Sequence, residues 1–252
     1  GLILPIGSAM PWKRAVILRA LKPLRYAFVL AIAIGGLAYA MQSGRSLLGP
    51  LGLFLGAWIV MGTVVDLWGR TGRGSNRLRR LGRLPRADWG KMVAHAGLGV
   101  TMAGVAGLTA WSIDDIRAVP LGDSYDVGRY TVQLDDVTQG QGPNYTATTG
   151  SVTLFHDGEE IAQLRPEKRF YPVAQMPTTE AAIDYNLLRD VYVVIGDEQA
   201  NGGWVVRTYV KPLTNWIWIG CALMALGGVL SLSDRRYRVA AGAAKSKPVP
   251  AE

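Results

Sequence analysis

The sequence predicts an α-helical membrane protein with four transmembrane helices and a β-rich extracytoplasmic domain inserted between helices 3 and 4. Three observations carry that expectation. Of 252 residues, 49% are hydrophobic and only 18% charged, with a mean hydropathy of +0.16, which is too apolar for a disordered chain and unusual for a water-soluble domain. Four apolar stretches lie between charged fences, Arg25 to Arg45, Arg45 to Arg70, Lys91 to Asp114 and Lys211 to Asp234, leaving 19, 24, 22 and 22 residues between them. Each is long enough for the roughly 20 apolar residues a bilayer-spanning helix needs. Charge is also segregated: residues 114–211 hold 15 acidic and 8 basic side chains, against 4 acidic and 19 basic in the rest of the chain.

Each element follows from these fences. Residues 1–25 read as a cytoplasmic basic segment carrying Lys13, Arg14, Arg19, Lys22 and Arg25. Before them, Gly1-Leu2-Ile3-Leu4-Pro5-Ile6 is an apolar scrap without the charged start of a signal peptide, so the chain is expected to be the C-terminal piece of something longer. Spans are expected at about 26–43, 47–68 and 92–113, with a basic cytoplasmic loop 69–91 that carries Arg70, Arg73, Arg77, Arg79, Arg80, Arg83, Arg86 and Lys91. The fourth span, 212–233, leads to a basic tail, 234–252, with Arg235, Arg236, Arg238, Lys245 and Lys247. The short loop after the first span has only Arg45. Because Lys and Arg collect on the cytoplasmic side, both termini and the basic loop are placed inside and segment 114–211 outside. The basic loop lacks the interleaved aromatics of a nucleic-acid surface and reads as a topology signal that touches anionic lipid.

Segment 114–211 changes texture to short alternating runs. Tyr130, Val132 and Leu134 alternate with polar residues, as do Val152 and Leu154, and Asp157-Gly158 marks a hairpin turn before Ile161 and Leu164. Val191 to Ile195 and Trp204 to Val210 form a second predicted hairpin, the whole making a small barrel or sandwich. Thr178 to Leu188 is expected to be a short helix, capped by Thr178 or Thr179 ahead of Glu180. The Ala/Lys/Pro-rich end from Ala240 is expected to be disordered. His156 falls in the turn beside Asp157 and receives no role. With no nucleophile and base pair and no metal-binding spacing in it, the domain points to binding or scaffolding. Cys221, the one cysteine, excludes an internal disulfide and a thiolate zinc site, and is expected to be buried in the fourth span.

His95 is the residue that invites a function. An imidazole inside an apolar span is costly and marks a proton path, an ion path or a cofactor, unless it only hydrogen-bonds a neighbouring helix. Gly99, Met102, Ala103 and Ala106 share its side of the helix. That smooth face suits a flat macrocycle such as haem, whose iron is commonly held by histidine, and it equally suits close helix packing. Asp66, near the end of the second span, could orient His95, although an i,i+4 pair with Arg70 is simpler.

In order along the chain, Gln141-Gly142-Pro143-Asn144-Tyr145, Glu167-Lys168-Arg169-Phe170-Tyr171, Thr179-Glu180-Ala181-Ala182-Ile183, Arg189-Asp190-Val191-Tyr192, Lys211-Pro212 with Trp216-Ile217-Trp218, and Asp234-Arg235-Arg236-Tyr237-Arg238 resemble the C-terminal portion of CcmF. This family is the membrane haem lyase component of the cytochrome c maturation system. The resemblance implies a protein of the bacterial inner membrane, with segment 114–211 periplasmic, that supports covalent attachment of haem to apocytochrome c. It implies a permanent b-type haem held by two histidines, of which His95 matches the C-terminal one. Gly99 and Met102 are assigned beside His95 to the haem-binding face. The family's tryptophan-rich haem platform and the second ligand have no match here, so both are expected from a missing N-terminal portion or a partner. Apocytochrome c, the haem chaperone CcmE and the thiol-handling subunit CcmH are the implied partners. Two other readings stay open: a non-catalytic membrane-anchored scaffold, and a haem b electron-transfer subunit.

Overall fold

The computed structural model describes residues 1–10, 17–42, 46–72, 76–200 and 202–234, with only the backbone for 17–20. Lys13, Arg14, Arg45, Arg73, the basic residues of the tail, and the disorder expected from Ala240 all lie outside the described residues. The chain forms two compact units, Gly1–Ala110 with Trp216–Glu252, and Trp111–Asn215.

The first unit contains α1 (Ile3–Ala9), α2 (Ile17–Met41), α3 (Leu48–Arg70), α4 (Arg77–Leu81), α5 (Arg86–Trp111) as far as Ala110 and α6 (Thr214–Leu232) from Trp216 onward. Within them, Leu21–Met41, α3, α5 and α6 are long and apolar enough to cross a membrane. These helices begin or end a few residues from the predicted spans. The largest difference is at α5, which starts at Arg86 rather than 92 because its first turn is polar and gains Asp88 at the positive end of the helix dipole. The apolar scrap at the start is helical as α1: Pro5 packs onto α3 where Gly62 leaves room, and the Trp58 indole donates to the Leu2 carbonyl at 2.9 Å. Phe28 of α2 meets Phe54 and Trp58 of α3 edge to face, with centroids 5.8 and 5.4 Å apart.

Small residues set the spacing around α5. A methyl group on Gly56 of α3 would come within 2.7 Å of the Gly99 carbonyl oxygen, and one on Gly97 within 2.6 Å of the Gly220 carbonyl oxygen of α6. Backbones therefore touch on two sides of α5, which is how apolar helices associate where lipid removes the hydrophobic gain of meeting.

The second unit is a sandwich of two antiparallel sheets. One has the order β1 (Ile113–Val119), β10 (Trp204–Pro212), β9 (Arg189–Glu198), β8 (Ala182–Tyr185). The other has β2 (Ser124–Val127), β3 (Tyr130–Gln141), β4 (Thr146–His156), β6 (Glu167–Tyr171), β7 (Met176–Glu180), with β5 (Glu159–Leu164) also paired to β4. Inward residues at every second position, among them Val132, Leu134, Val152, Leu154, Val191, Val193 and Val206, make the core. Asp157 and Gly158, at φ +50° and +85°, close the β4–β5 hairpin as the sequence predicts.

One expected element is corrected. Thr178 to Leu188 is not a helix: Glu180 pairs with Glu167 in β7, and Ile183 with Tyr192 in β8. A Thr cap ahead of Glu is a local helix signal, and here long-range strand pairing overrides it.

Candidate functional site

His95 lies two and a half turns into α5, and its placement follows from the charged end of that helix. Lys91, one turn earlier, puts Nζ 2.5 Å from Oδ2 of Asp66 on α3. Arg70 donates from Nε to Asp66 Oδ1 at 3.1 Å and from Nη1 to Asp88 Oδ1 at 2.7 Å. Two carboxylates and two cations thus neutralise one another, and each carboxylate has charged donors. Asp66 is taken up by this network and makes no hydrogen bond to His95 among the described residues; the simpler Asp66–Arg70 pair is present. The neighbour of His95 is instead Ser8 of α1, whose Oγ lies 3.5 Å from Nδ1. Among the described residues nothing hydrogen-bonds Nε2. Nothing in the sequence signals Ser8, which is 87 positions away.

At Gly99 the smooth face meets α3. Gly99 is closed off by α3, since a methyl group there would lie 2.6 Å from Val60 Cγ2 and 2.8 Å from the Gly56 carbonyl oxygen. Its lack of a side chain serves helix packing on that side. Met102, two turns beyond His95, is half-buried. No group of three or more His, Cys, Asp or Glu side chains capable of holding a metal occurs among the described residues. A half-buried imidazole with one nitrogen beside a hydroxyl and no bond to the other among the described residues is the donor type haem iron accepts. Cys221, expected to be buried, is exposed on α6, where a thiol acts as a small apolar surface group.

In the sandwich, the sequence motifs collect at two places. Tyr145, from the β3–β4 turn, packs on Tyr171 at 5.5 Å and lies under the Arg169 guanidinium at 4.7 Å. Arg169 also donates to Glu167 at 2.8 Å and faces Glu180 at 3.6 Å; the bonds to Glu167 and then to the Tyr171 hydroxyl hold its pKa above the ordinary arginine value. At the second place Arg189 donates to the Tyr130 hydroxyl at 2.9 Å and to the Asp184 carboxylate. Asp190, buried beside it, accepts from Asn215 Nδ2 at 2.9 Å, and burial pushes its carboxyl pKa up. Lys211 lies over the Tyr192 ring at 4.7 Å. His156 stacks on Tyr130 with centroids 4.8 Å apart and its Nδ1 is 3.2 Å from the Arg129 carbonyl oxygen, an end-of-strand packing role.

Comparison with known proteins gives this architecture a family. Residues 110–212 match a family model described as the CcmF C-terminal β-sandwich. The chain is 53% identical over 245 residues to the cytochrome c-type biogenesis protein ccl1 of Rhodobacter capsulatus, covering 97% of this chain and 37% of that protein. It is 39% identical over 249 residues to CycK of Rhizobium meliloti and 34% identical over 248 residues to CcmF of Escherichia coli, covering 97% and 98% of this chain. It spans 37% of the length of both relatives. A solved structure named cytochrome c heme lyase CcmF has the same fold over 92% of this chain and 38% of its own, with a TM-score of 0.70 and 22% identity. The chain belongs to the CcmF family of cytochrome c-type biogenesis proteins and matches the C-terminal portion of its members.

Proposed function

We propose that this chain works as the C-terminal part of a haem lyase component of the bacterial inner membrane, supporting covalent attachment of haem to apocytochrome c. His95 contributes one axial ligand of an intramembrane b-type haem. The observation that carries the reading is the state of its imidazole: it sits in an apolar helix, with Nδ1 beside the Ser8 hydroxyl and Nε2 without a hydrogen bond among the described residues. When bound, the haem supplies a one-electron redox centre. Ser8 steadies the ring through Nδ1, the Asp66, Lys91, Arg70 and Asp88 network keeps net charge away from it, and Met102 extends the apolar surface along α5. The chain has only two histidines, and His156 belongs to the sandwich, so a second imidazole ligand has to come from another polypeptide segment. The excess of Lys and Arg in 69–91 supports a cytoplasmic loop and a periplasmic sandwich. There the sandwich would meet apocytochrome c, CcmE and CcmH.

The test is the reduced-minus-oxidised spectrum and iron content of the purified assembly carrying His95→Ala. Loss of the b-type spectrum and of c-type cytochrome, with the assembly intact, is the expected result; an unchanged haem content overturns the ligand assignment. The close packing at Gly99 favours a second reading, in which the helices only anchor the sandwich as an assembly scaffold. An iron-free native assembly would select it.

A further inference from the structure

We propose that the β8–β9 turn, residues 185–188, is a membrane-interface anchor, an apolar tip that seats among lipid headgroups beside the point where α6 begins. The reading rests on α6 crossing the bilayer and is independent of the role of His95. Three of the four turn residues are large and apolar, and Tyr185, Leu187 and Leu188 are 73, 68 and 67% exposed. Three large apolar side chains exposed side by side within four residues mark a surface that meets something less polar than water.

The turn is stiff. Asn186 Oδ1 accepts from the N–H groups of Leu188 and Arg189 at 2.8 and 2.9 Å, and its own N–H donates to the Arg189 carbonyl at 2.9 Å. Holding the leucines in one conformation before they meet lipid lowers the entropy lost on insertion.

Its level is set by hydrogen bonds to the residues that open α6. Leu213 N–H donates to the Leu188 carbonyl at 2.9 Å, and Asn215 Nδ2 donates to the Asn186 carbonyl at 2.7 Å. α6 has 19 residues, Thr214–Leu232, so at 1.5 Å per residue its length is about that of the hydrocarbon layer and its first turn has no slack to leave the boundary. A tip bonded to 213 and 215 is therefore held at headgroup depth. The neighbouring side chains suit that depth. Ile183, Tyr192 and Tyr209 pair across the strands, and the Lys211 ammonium lies 4.7 and 5.1 Å from the two tyrosine rings. Tyrosine and lysine are the residues that settle where one end must be dry and the other wet. The occupant is thus a phospholipid surface.

The full chain, with Cys221→Ser, is reconstituted into vesicles of phosphatidylethanolamine and phosphatidylglycerol after Leu187→Cys or, separately, Leu188→Cys, each labelled with an environment-sensitive nitrobenzoxadiazole dye. Val173→Cys, 97% exposed in the β6–β7 turn, is the comparison, and the dye on native Cys221 reports whether α6 is in lipid. The expected result is blue-shifted emission at 187 and 188, with at least twofold more quenching by shallow spin-labelled lipid, and less by iodide, than at 173. Iodide quenching at 187 and 188 equal to that at 173, with Cys221 still quenched by lipid, overturns the anchor and leaves the crossing of α6 intact. Shielding from both quenchers also overturns it, in favour of a protein surface. A Cys221 dye reached by iodide removes the crossing itself and the proposal with it.

Discussion

Val132, Leu134, Leu154, Val191 and Val193 of the sandwich have no solvent exposure at all, whereas in the helical unit backbones come into close contact at Gly56 with Gly99 and at Gly97 with Gly220. The helices turn much of their apolar surface outward: Val29, Leu37, Val64, Val105, Trp218 and Val229 are all exposed. In water, sealing branched side chains between two sheets is the main gain on folding. In lipid the outward side chains are already content, and helices gain only what close contact gives. A single chain thus uses its large apolar residues for cohesion in one unit and for solvation in the other.

The comparison breaks if the same class of substitution acts alike in both units. Leu154→Ala should destabilise the sandwich by about 2–5 kcal/mol, the usual range for a large-to-small change in a sealed core. Hydrogen exchange of the chain in lipid nanodiscs should show strands β3, β4 and β9 opening while α3 and α5 keep their protection. Val29→Ala, on the outward face of α2, should leave exchange in both units unchanged. The converse test is Gly97→Leu, which drives a side chain into the Gly220 carbonyl and Met224 backbone. Overpacking of this kind costs about 1–3 kcal/mol and should loosen α5 from α6, read as faster exchange in those two helices, with the sandwich untouched.

Tyr125 sharpens the contrast, because the sandwich hides a polar link inside its apolar core. Its hydroxyl lies 2.7 Å from Thr208 Oγ1, joining β2 of one sheet to β10 of the other. Burial pushes the phenol pKa up to about 12. Since the folded-state pKa lies above the ordinary value near 10, this group's contribution is complete below pH 10 and is lost as pH rises through 12. Two units correspond to roughly 2–3 kcal/mol. At neutral pH, Tyr125→Phe should cost about 1 kcal/mol for the lost hydrogen bond. Between pH 10 and 12 the parent should lose stability faster than the variant, so that their order reverses. Denaturant titrations of the nanodisc-held chain across that window check the crossing, and parallel curves would remove Tyr125 from the account.

The two units also differ in what their residues reveal in advance. Helices long and apolar enough to span a bilayer are visible in the sequence because length and flanking charge are local properties, and Val132, Leu134 and Leu154 announce their strands by alternation. Partnership is not local. The side of α5 bearing Gly99 looks fit for a macrocycle because a glycine stripe reads the same whether a cofactor or a helix fills it; only α3 in place decides. Ser8 beside His95 and Lys91 beside Asp66 join helices across loops whose lengths carry no pairing signal. The Thr178–Leu188 segment misleads for the complementary reason, since its cap signal is local and its strand partners, Glu167 and Tyr192, lie on neighbouring strands.

The smallest predicted effect concerns a helix end, where the helical unit does depend on a buried polar contact. The first N–H groups of α5 have no partner within the helix. Ala87 N–H finds one in the Asp234 carboxylate, at 3.0 Å, supplied from beyond the end of α6. Asp234 is buried, and its charge lies at the positive end of the α5 dipole. The first residue of the Asp234-Arg235-Arg236-Tyr237-Arg238 motif therefore acts structurally, tying the chain beyond α6 to the first turn of the helix that carries His95. Asp234→Ala should cost about 1 kcal/mol, typical of a lost helix cap, while Asp234→Asn, which keeps an oxygen acceptor, should cost less. The readout is fraying: faster exchange confined to 86–90, with protection around His95 retained. Exchange that spreads through α5 in the Ala variant would mean that the cap, rather than the glycine contacts, holds this helix in place.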